Sequence, residues 1–316
     1  MTSAPPFRYR FPLPLKPKLP LKHVRYPCGH EELRPKDMSI GIGVKCLDGV
    51  VLGVDLEYTQ VSSSMPGQKM FWLPKFDGAN YFALVAASGN PDSTKTFIEY
   101  LDEELSLLGT VAEWKSLKRA IGASLKRVYL EHIDIAPRNE RTDLGLDLLL
   151  ALRVNNDTKM YRTNRTMLVE EEGTYVQGVG LYSGRPLVDL FLGYRPMISV
   201  GTASQIVTCI VSLAKEHTQY VGKGSDIHIL PNQGLAYSIL KPERKEIDED
   251  FSDLISSLRS CIAELSPPGG FSYPNCISRF GQSVENLRNN QIAREQRRLA
   301  RRQAGPPSPQ SPKANL

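Results

Sequence analysis

The sequence lacks any long hydrophobic run, although it has 316 residues and 41% of them are hydrophobic. No uninterrupted apolar stretch approaches the roughly 18 residues that a membrane-spanning helix needs. The N-terminal residues also lack the continuous apolar core of a secretory signal, because proline interrupts them repeatedly. These two absences predict a soluble chain that resides in the cytoplasm and does not associate with a membrane.

Cysteine is scarce, and its spacing excludes the usual zinc motifs. The five cysteines are odd in number, widely spread and form no CxxC pair. A structural zinc site or a disulfide framework is therefore not expected, and free thiols in a reducing cytoplasm are the simplest interpretation. Nothing in the residue pattern calls for a metal ion or an organic cofactor, and we predict neither.

The centre of the chain lacks a net positive charge, although the whole sequence carries a net charge of +5. Residues 1–38 hold eight Lys and Arg against three acidic residues, and residues 279–316 hold eight against two. The remaining 23 basic and 29 acidic residues lie in 39–278, which gives that part a net charge of −6. An acidic body argues against nucleic acid as its partner.

Proline density and composition divide the chain into three parts. Residues 1–38 contain eight prolines and no apolar period, which predicts a disordered leader or propeptide. Residues 39–241 alternate strand and helix signals and should form the globular domain. Residues 242–316 should form a helical extension with a partly disordered tail. Its arginine-rich helix at 283–303 is either a solvated face or a surface for nucleic acid or an acidic partner.

A strong β-hairpin signal lies between Ser39 and Asp55. Two apolar runs flank Asp48-Gly49, a dipeptide that favours a tight turn because both residues tolerate positive φ. The second run, 50–54, is apolar almost throughout, which predicts a strand buried on both faces. An antiparallel hairpin brings Ser39 near Asp55, and Lys69 follows within reach. These are common residue types, so their spacing alone does not separate a reactive group from ordinary structure.

Hydrophobic periodicity predicts an α+β fold. One helix should begin after Pro91, a second at the capping box Thr110–Glu113, and a third should span 198–215. The predicted strands after the hairpin lie at 69–73, 81–87, 144–154, 159–169, 175–181, 227–230 and 236–240. Two antiparallel sheets with helices on their outer faces would bury every apolar stripe.

The segment Ser39–Asp55 resembles the start of mature proteasome-type subunits, where an N-terminal nucleophile precedes a strand, a Gly-containing turn and a strand ending in Asp. Ala87-Ser88-Gly89, Tyr182-Ser183-Gly184 and a final strand at 224–229 agree with that family in their order. On this resemblance, which covers roughly 39–240, the chain is identified as a divergent proteasome-like member of the N-terminal-nucleophile hydrolases. The resemblance implies a four-layer αββα sandwich, with two antiparallel sheets between helix layers.

The resemblance also implies catalytic residues. Ser39 stands at the position of the family's nucleophile, Asp55 matches the acidic residue that ends the second strand, and Lys69 is the nearest match to the active-site lysine. Ser183 resembles the Ser-Gly serine near the nucleophile, whereas Tyr220 stands where the family has a second Asp. A backbone N–H near residues 86–88 is the expected donor to the oxyanion.

This chemistry requires a free α-amine on Ser39. An N-terminal residue can use its own amine, with a pKa near 8, as the general base that accepts the hydroxyl proton. Met38 precedes Ser39 directly, so the amine would become free if translation began at Met38 and the methionine were removed. Autocatalytic cleavage of a propeptide is the alternative route.

Two functions are consistent with the resemblance. The first is a proteasome-like hydrolase that cleaves peptide or amide bonds in peptide or protein substrates through Ser39. The second is a non-catalytic proteasome-like subunit that forms a ring or a scaffold. Both imply self-association into a homo-oligomer, and a free N-terminal Ser39 separates the first from the second.

Overall fold

The computed structural model describes residues 39–303 apart from short gaps at 61–62, 75, 139, 142–143, 179–180, 194–196, 218–220, 223 and 265–272. The predicted disorder of residues 1–38 and the position of Tyr220 therefore fall outside the described residues. The boundaries of the three predicted parts remain predictions. Within the described ranges, no helix is both long and apolar enough to cross a membrane.

The secondary structure mixes strands and helices along the whole described chain. The strands are β1 (Gly41–Cys46), β2 (Gly49–Asp55), β3 (Glu57–Gln60), β4 (Ser63–Pro66), β5 (Met70–Leu73), β6 (Tyr81–Gly89), β7 (Leu146–Val154), β8 (Asp157–Asn164), β9 (Met167–Glu171), β10 (Thr174–Gln177), β11 (Ser225–Pro231) and β12 (Tyr237–Ser238). The helices are α1 (Pro91–Leu108), α2 (Trp114–Val128), α3 (Leu181–Phe191), α4 (Val200–His217), α5 (Lys241–Glu264) and α6 (Tyr273–Gln303). A π-helical segment, Tyr129–Ile133, continues α2.

The strands form two five-stranded antiparallel sheets. The first has the order β10-β1-β2-β11-β12, the second has the order β5-β6-β7-β8-β9, and β3 pairs with β4 as a separate hairpin. Apolar side chains of β2 and β11 pack against those of β5 to β8 in a core between the two sheets. The predicted α+β sandwich of two antiparallel sheets is confirmed. The specific layering of N-terminal-nucleophile hydrolases remains a prediction.

The outer face of each sheet carries its own helical core. Helices α1 and α2 cover the second sheet through a cluster that includes Phe97, Leu101 and Ile121. Helices α3, α4 and α5 cover the first sheet through a cluster that includes Val188, Val207 and Ile247. The strands between these cores are almost wholly buried, and every residue of β2 is buried, as its continuous apolar run predicts.

Glycines allow the neighbouring layers to approach the opening hairpin closely. A Cβ at Gly43 would lie 2.6 Å from the Met160 sulfur of the opposite sheet, and one at Gly53 would lie 2.5 Å from a Val207 methyl on α4. The turn itself differs from the prediction by one residue. Leu47 and Asp48 form the loop, and Gly49 already pairs with Cys46 as the first residue of β2.

Several predicted elements have different bounds in the structure. The predicted strand 159–169 is divided into β8 and β9 by a turn in which Arg165 adopts a positive φ of 53°. Helix α2 starts at Trp114, and its capping box joins Glu113 to Ser116 rather than Thr110 to Glu113. Helix α3 was not predicted, because Gly184 and Pro186 lower its helix propensity.

Helices α5 and α6 pack together, and both contact α4 through buried polar groups. Arg294 of α6 is 1% exposed, forms an ion pair with Asp250 of α5 and donates to the Gln205 amide oxygen of α4 at 3.3 Å. Arg298 donates to Glu243 at 2.5 Å. The arginine-rich helix therefore directs two of its arginines into an intramolecular interface and is not solvated all round.

Candidate functional site

The opening hairpin brings the two ends of its strands together. Ser39 immediately precedes β1 and Asp55 ends β2, and the Asp55 N–H donates to the Ile40 carbonyl at 3.3 Å. The Ser39 hydroxyl donates to Asp55 Oδ1 over 2.7 Å. Lys69 Nζ donates to Ser39 Oγ at 2.8 Å and to Asp55 Oδ1 at 3.0 Å. These three side chains therefore form one continuous hydrogen-bonded group.

Asp55 is the centre of this group because both of its carboxylate oxygens accept several donors. Besides Ser39 and Lys69, Oδ1 accepts the Ile40 N–H at 2.9 Å, and Oδ2 accepts the Gly222 N–H at 3.0 Å. The side chain is inaccessible to solvent, so these contacts replace the water that an exposed carboxylate would bind. The same contacts fix the orientation of the oxygen that faces the Ser39 hydroxyl.

Lys69 enters the site from the second sheet. It lies just before β5, and its carbonyl accepts the Ala87 N–H of β6 at 2.8 Å. Its ammonium also donates to the Glu57 carbonyl. Burial lowers the pKa of Lys69 because it removes water from the ammonium, and the attraction of Asp55 offsets part of that effect. The lysine is thus a buried cation beside a hydroxyl.

Two glycines complete the site, and the sequence alone did not indicate either of them. Gly178 follows β10 with φ of 79°, and a Cβ there would lie 2.3 Å from the Ser39 carbonyl oxygen. Gly222 donates its N–H to Asp55, and a Cβ there would lie 1.8 Å from the Glu57 Cβ. Both glycines bring backbone from distant segments against the hairpin ends. Only the long-range contacts reveal this role.

The fourth predicted catalytic residue is Ser183. It is half-buried in the first turn of α3, in a helix rather than before one. The next residue, Gly184, packs against Ile40, since a Cβ there would lie 3.0 Å from Ile40 Cδ1. Ser183 is therefore at the end of α3 that faces the hairpin, and its predicted catalytic role remains a prediction.

An oxyanion donor is expected at residues 86–88, but the N–H of the middle residue is already hydrogen-bonded. The Ala87 N–H is occupied by the Lys69 carbonyl, and it cannot also stabilise an oxyanion without loss of that bond. Ala86 and Ser88 continue the ladder with β7 on the other side of the strand. The structure does not support an oxyanion donor at Ala87.

Comparison with known proteins gives matches in structure only. No protein-family model matches the chain, and no curated protein sequence does. The structure of Anbu (ancestral beta-subunit) from Yersinia bercovieri matches with a TM-score of 0.60 and 16% identity, covering 73% of this chain and 98% of that one. Anbu from Hyphomicrobium sp. strain MC1 matches at 0.59 and 13%, covering 73% and 100%.

A third similar structure is that of a larger assembly. The helical assembly of the Anbu complex from Pseudomonas aeruginosa matches with a TM-score of 0.59 and 13% identity, covering 74% of this chain and 99% of that one. Anbu is a proteasome-like protein, so the fold is shared with proteasome-like subunits. At these identities the likeness extends to the fold and not to the activity.

The comparisons also correct the family assignment made from the sequence. On the resemblance of Ser39–Asp55, the sequence was assigned to the N-terminal-nucleophile hydrolase superfamily as a proteasome-type subunit. The neighbours in structure are Anbu proteins, and no family model supports a superfamily assignment. That assignment is therefore wrong as made. A hairpin of 17 residues was too short a basis for it, because its pattern is shared by subunits of different kinds.

Proposed function

We propose that this chain is a proteasome-like hydrolase that cleaves peptide or amide bonds through Ser39. The observation that carries the proposal is the buried group of Ser39, Lys69 and Asp55, in which one hydroxyl contacts both a cation and a carboxylate. A buried ion pair is costly unless its geometry is good, and its contact with the Ser39 hydroxyl favours a chemical role for that hydroxyl. We further propose a globular domain over 39–241 with a four-layer αββα order, and a cytoplasmic location.

The reaction uses the hydroxyl and the α-amine of one residue. Ser39 Oγ attacks the substrate carbonyl carbon while its proton passes to the free α-amine, directly or through water. The resulting ammonium then donates a proton to the departing amine, which leaves an ester on Ser39. Water attacks this ester with the amine again as base, and the acid product leaves with Ser39 restored.

Lys69 and Asp55 act by position and charge in this scheme. The ammonium of Lys69 lies 2.8 Å from Ser39 Oγ, so it holds the oxygen and stabilises negative charge that develops there. It also disfavours a second positive charge nearby, which keeps the adjacent α-amine neutral at lower pH. Asp55 holds Lys69 in place through the contact at 3.0 Å.

Processing before Ser39 is an essential part of the proposal. In the 316-residue chain Ser39 follows Met38 in a peptide bond, and its side chain is only 3% exposed. Its amine is therefore not free in the intact chain. Initiation at Met38 with removal of the methionine would release it, and cleavage of a propeptide formed by residues 1–38 is the alternative.

We expect hydrolysis by the processed protein to rise with pH through the pKa of the Ser39 α-amine, because only the neutral amine accepts a proton. The reference pKa is about 8, and the positive charge of Lys69 lowers it. Loss of that charge in Lys69→Met should therefore move the rising limb to higher pH as well as lower kcat. The measurement is kcat/KM for a short peptide substrate between about pH 5 and 10.

The control for this experiment is Lys95→Met. Lys95 is exposed on α1, where it lies 4.0 Å from Glu99, and its removal should leave the pH profile unchanged. A profile for Lys69→Met that is lowered but not shifted would contradict the electrostatic role of Lys69. A wild-type rate that is independent of pH would contradict the amine as base.

A second candidate function is that of a non-catalytic subunit in a larger assembly. The observation that favours it is an apolar stripe on α3, where Tyr182, Pro186 and Leu190 recur at four-residue spacing and face solvent. Tyr182 is 77% and Leu190 is 74% exposed. Helices α5 and α6 cover α4, whereas this stripe has no cover within the described chain. The Anbu complex that forms a helical assembly is also consistent with association.

We expect Leu190→Asp to weaken self-association by at least about tenfold, because a buried leucine contributes about 1.5–3 kcal/mol. Sedimentation velocity over a concentration series measures the effect. Leu107→Asp is the matched control, since Leu107 is an 83% exposed leucine on α1. A wild-type protein that stays monomeric at micromolar concentration, or equal effects of the two substitutions, would contradict association through α3.

A further inference from the structure

A cationic cavity of about 570 Å³ lies beside the start of α5. Four cationic side chains line it, and Asp248 is the acidic residue among its lining. The cations are Lys215, Lys241, Arg244 and Lys245. The lining alone carries a net of three positive charges, and Asp226 and Glu249, which pair with two of its cations, reduce the local net to one. Residues 39–278 as a whole are acidic. This local reversal of charge needs a physical explanation.

Protein carboxylates neutralise these cations only in part. Arg244 donates to Asp226 at 2.8 Å, and Lys245 pairs with Glu249 at 3.4 Å on the exposed side of α5. Burial lowers the pKa of Lys215, and the attraction of Asp248 offsets only part of this. A bound anion would raise the pKa of Lys215 again, because a nearby negative charge stabilises a desolvated ammonium.

The backbone and the apolar lining add two further features. Helix α5 begins at Lys241 and has 24 residues, so the positive end of its dipole lies at the cavity. Leu56 and Pro242 supply apolar surface in the same lining. The volume is within the range of about 300–1,000 Å³ that small organic ligands occupy, and it is larger than a single inorganic phosphate needs.

We propose that this cavity binds an organic phosphate, whose phosphate groups contact the lysines and Arg244 and whose organic part packs on Leu56 and Pro242. Lysine ammonium groups bind phosphate as point charges. A phosphate group carries about 1.5–2 negative charges at neutral pH, which the cations of the lining attract. The lining does not include Ser39 and binding does not depend on the proposed hydrolysis, so the site should be present in the unprocessed chain.

The test is isothermal titration of the 316-residue protein with ADP at low ionic strength, with adenosine and pyrophosphate as comparison ligands. We expect ADP to bind at least tenfold more tightly than either, because adenosine lacks the charge and pyrophosphate lacks the apolar part. The double variant Lys241→Glu/Lys245→Glu should weaken ADP binding at least tenfold. Lys95→Glu, an exposed helical lysine with a Glu four residues later, should change it less than twofold.

We expect the double variant to fold like the wild type, because Lys241 and Lys245 are exposed. An unchanged Tm of the double variant would verify this. Should that variant lose stability, the single variant Lys245→Ala replaces it, with an expected loss of at least threefold. The proposal is overturned if ADP does not bind at millimolar concentration, if adenosine or pyrophosphate binds as tightly, or if the cavity variants bind ADP like the wild type.

Discussion

Replacement of Ser39 by alanine is expected to lower kcat/KM for peptide hydrolysis by at least about 10³-fold in the processed protein. The substitution removes the oxygen that attacks the substrate and leaves the α-amine in place. Loss of the nucleophile cannot be compensated by Lys69 or Asp55, because neither can form the ester intermediate. The measurement is the initial rate on a short peptide substrate, made on protein whose mass shows that it begins at residue 39.

A matched serine provides the control for this substitution. Ser124 is as buried as Ser39 and donates to a backbone carbonyl within α2 at 2.9 Å. Ser124→Ala should leave kcat/KM within about twofold of the wild type, since it lies in the core under the other sheet. If Ser39→Ala keeps wild-type activity, Ser39 is not the nucleophile, and the scaffold function becomes the better account.

Replacement of Asp55 by asparagine is expected to lower the free energy of unfolding by about 3–5 kcal/mol at neutral pH. The change keeps the shape of the side chain but leaves the buried ammonium of Lys69 without its counter-charge. It also weakens the bonds from the Ile40 and Gly222 N–H groups, which now meet a neutral amide. Chemical denaturation of the variant and the wild type measures the difference.

The loss of unfolding free energy in Asp55→Asn should depend on pH, whereas the loss caused by a packing defect would not. Without Asp55 the folded-state pKa of Lys69 falls further below its unfolded value of about 10.4. The unfolded state then binds more protons, so the stability of Asp55→Asn should rise as pH increases toward 10 and the deficit should shrink. The double variant Asp55→Asn/Lys69→Met should likewise recover part of the loss.

An exposed ion pair provides the control for Asp55→Asn. Glu99 lies 4.0 Å from Lys95 on the surface of α1, and Glu99→Gln should change stability by no more than about 0.5 kcal/mol. If Asp55→Asn is no more costly than Glu99→Gln, or if its deficit is constant between pH 7 and 10, Asp55 does not compensate a charged Lys69. The electrostatic description of the site would then be wrong.

The part of the fold that the sequence predicted well is governed by local pattern. Alternation of apolar residues located β1, and a continuous apolar run located β2, because burial on one or two faces leaves that signature in a strand. Helices α1 and α2 followed from apolar spacing near 3.6 residues. The turn was misplaced by one residue, since Gly49 favours a turn by composition but pairs in the ladder with Cys46.

Elements that depend on tertiary packing were missed or shortened. Helix α3 contains Gly184 and Pro186, which oppose helix formation locally, yet Val188 of that helix is inaccessible in the core against β1 and α4. Burial of its apolar face outweighs weak local propensity. The boundary between β8 and β9 likewise depends on a residue with positive φ, Arg165, whose type gives little indication of that conformation.

The residues of the candidate site also divide into those that local sequence pattern predicted and those that depend on tertiary packing. Ser39 and Asp55 could be placed together because a hairpin joins its own ends, and Lys69 could be added from the family resemblance. Gly178 and Gly222 could not be found, because their role consists of contacts with residues more than a hundred positions away. Sequence pattern carries information about neighbours in the chain, whereas these contacts arise from the packing of whole segments.

The most direct test of the central claim is one mass measurement on active protein treated with an activated ester that acylates nucleophiles. The proposal predicts a chain that begins at Ser39, carries one acyl group, and yields that group on the N-terminal peptide after digestion. Active protein that retains residues 1–38, or an acyl group on a residue other than Ser39, would contradict it.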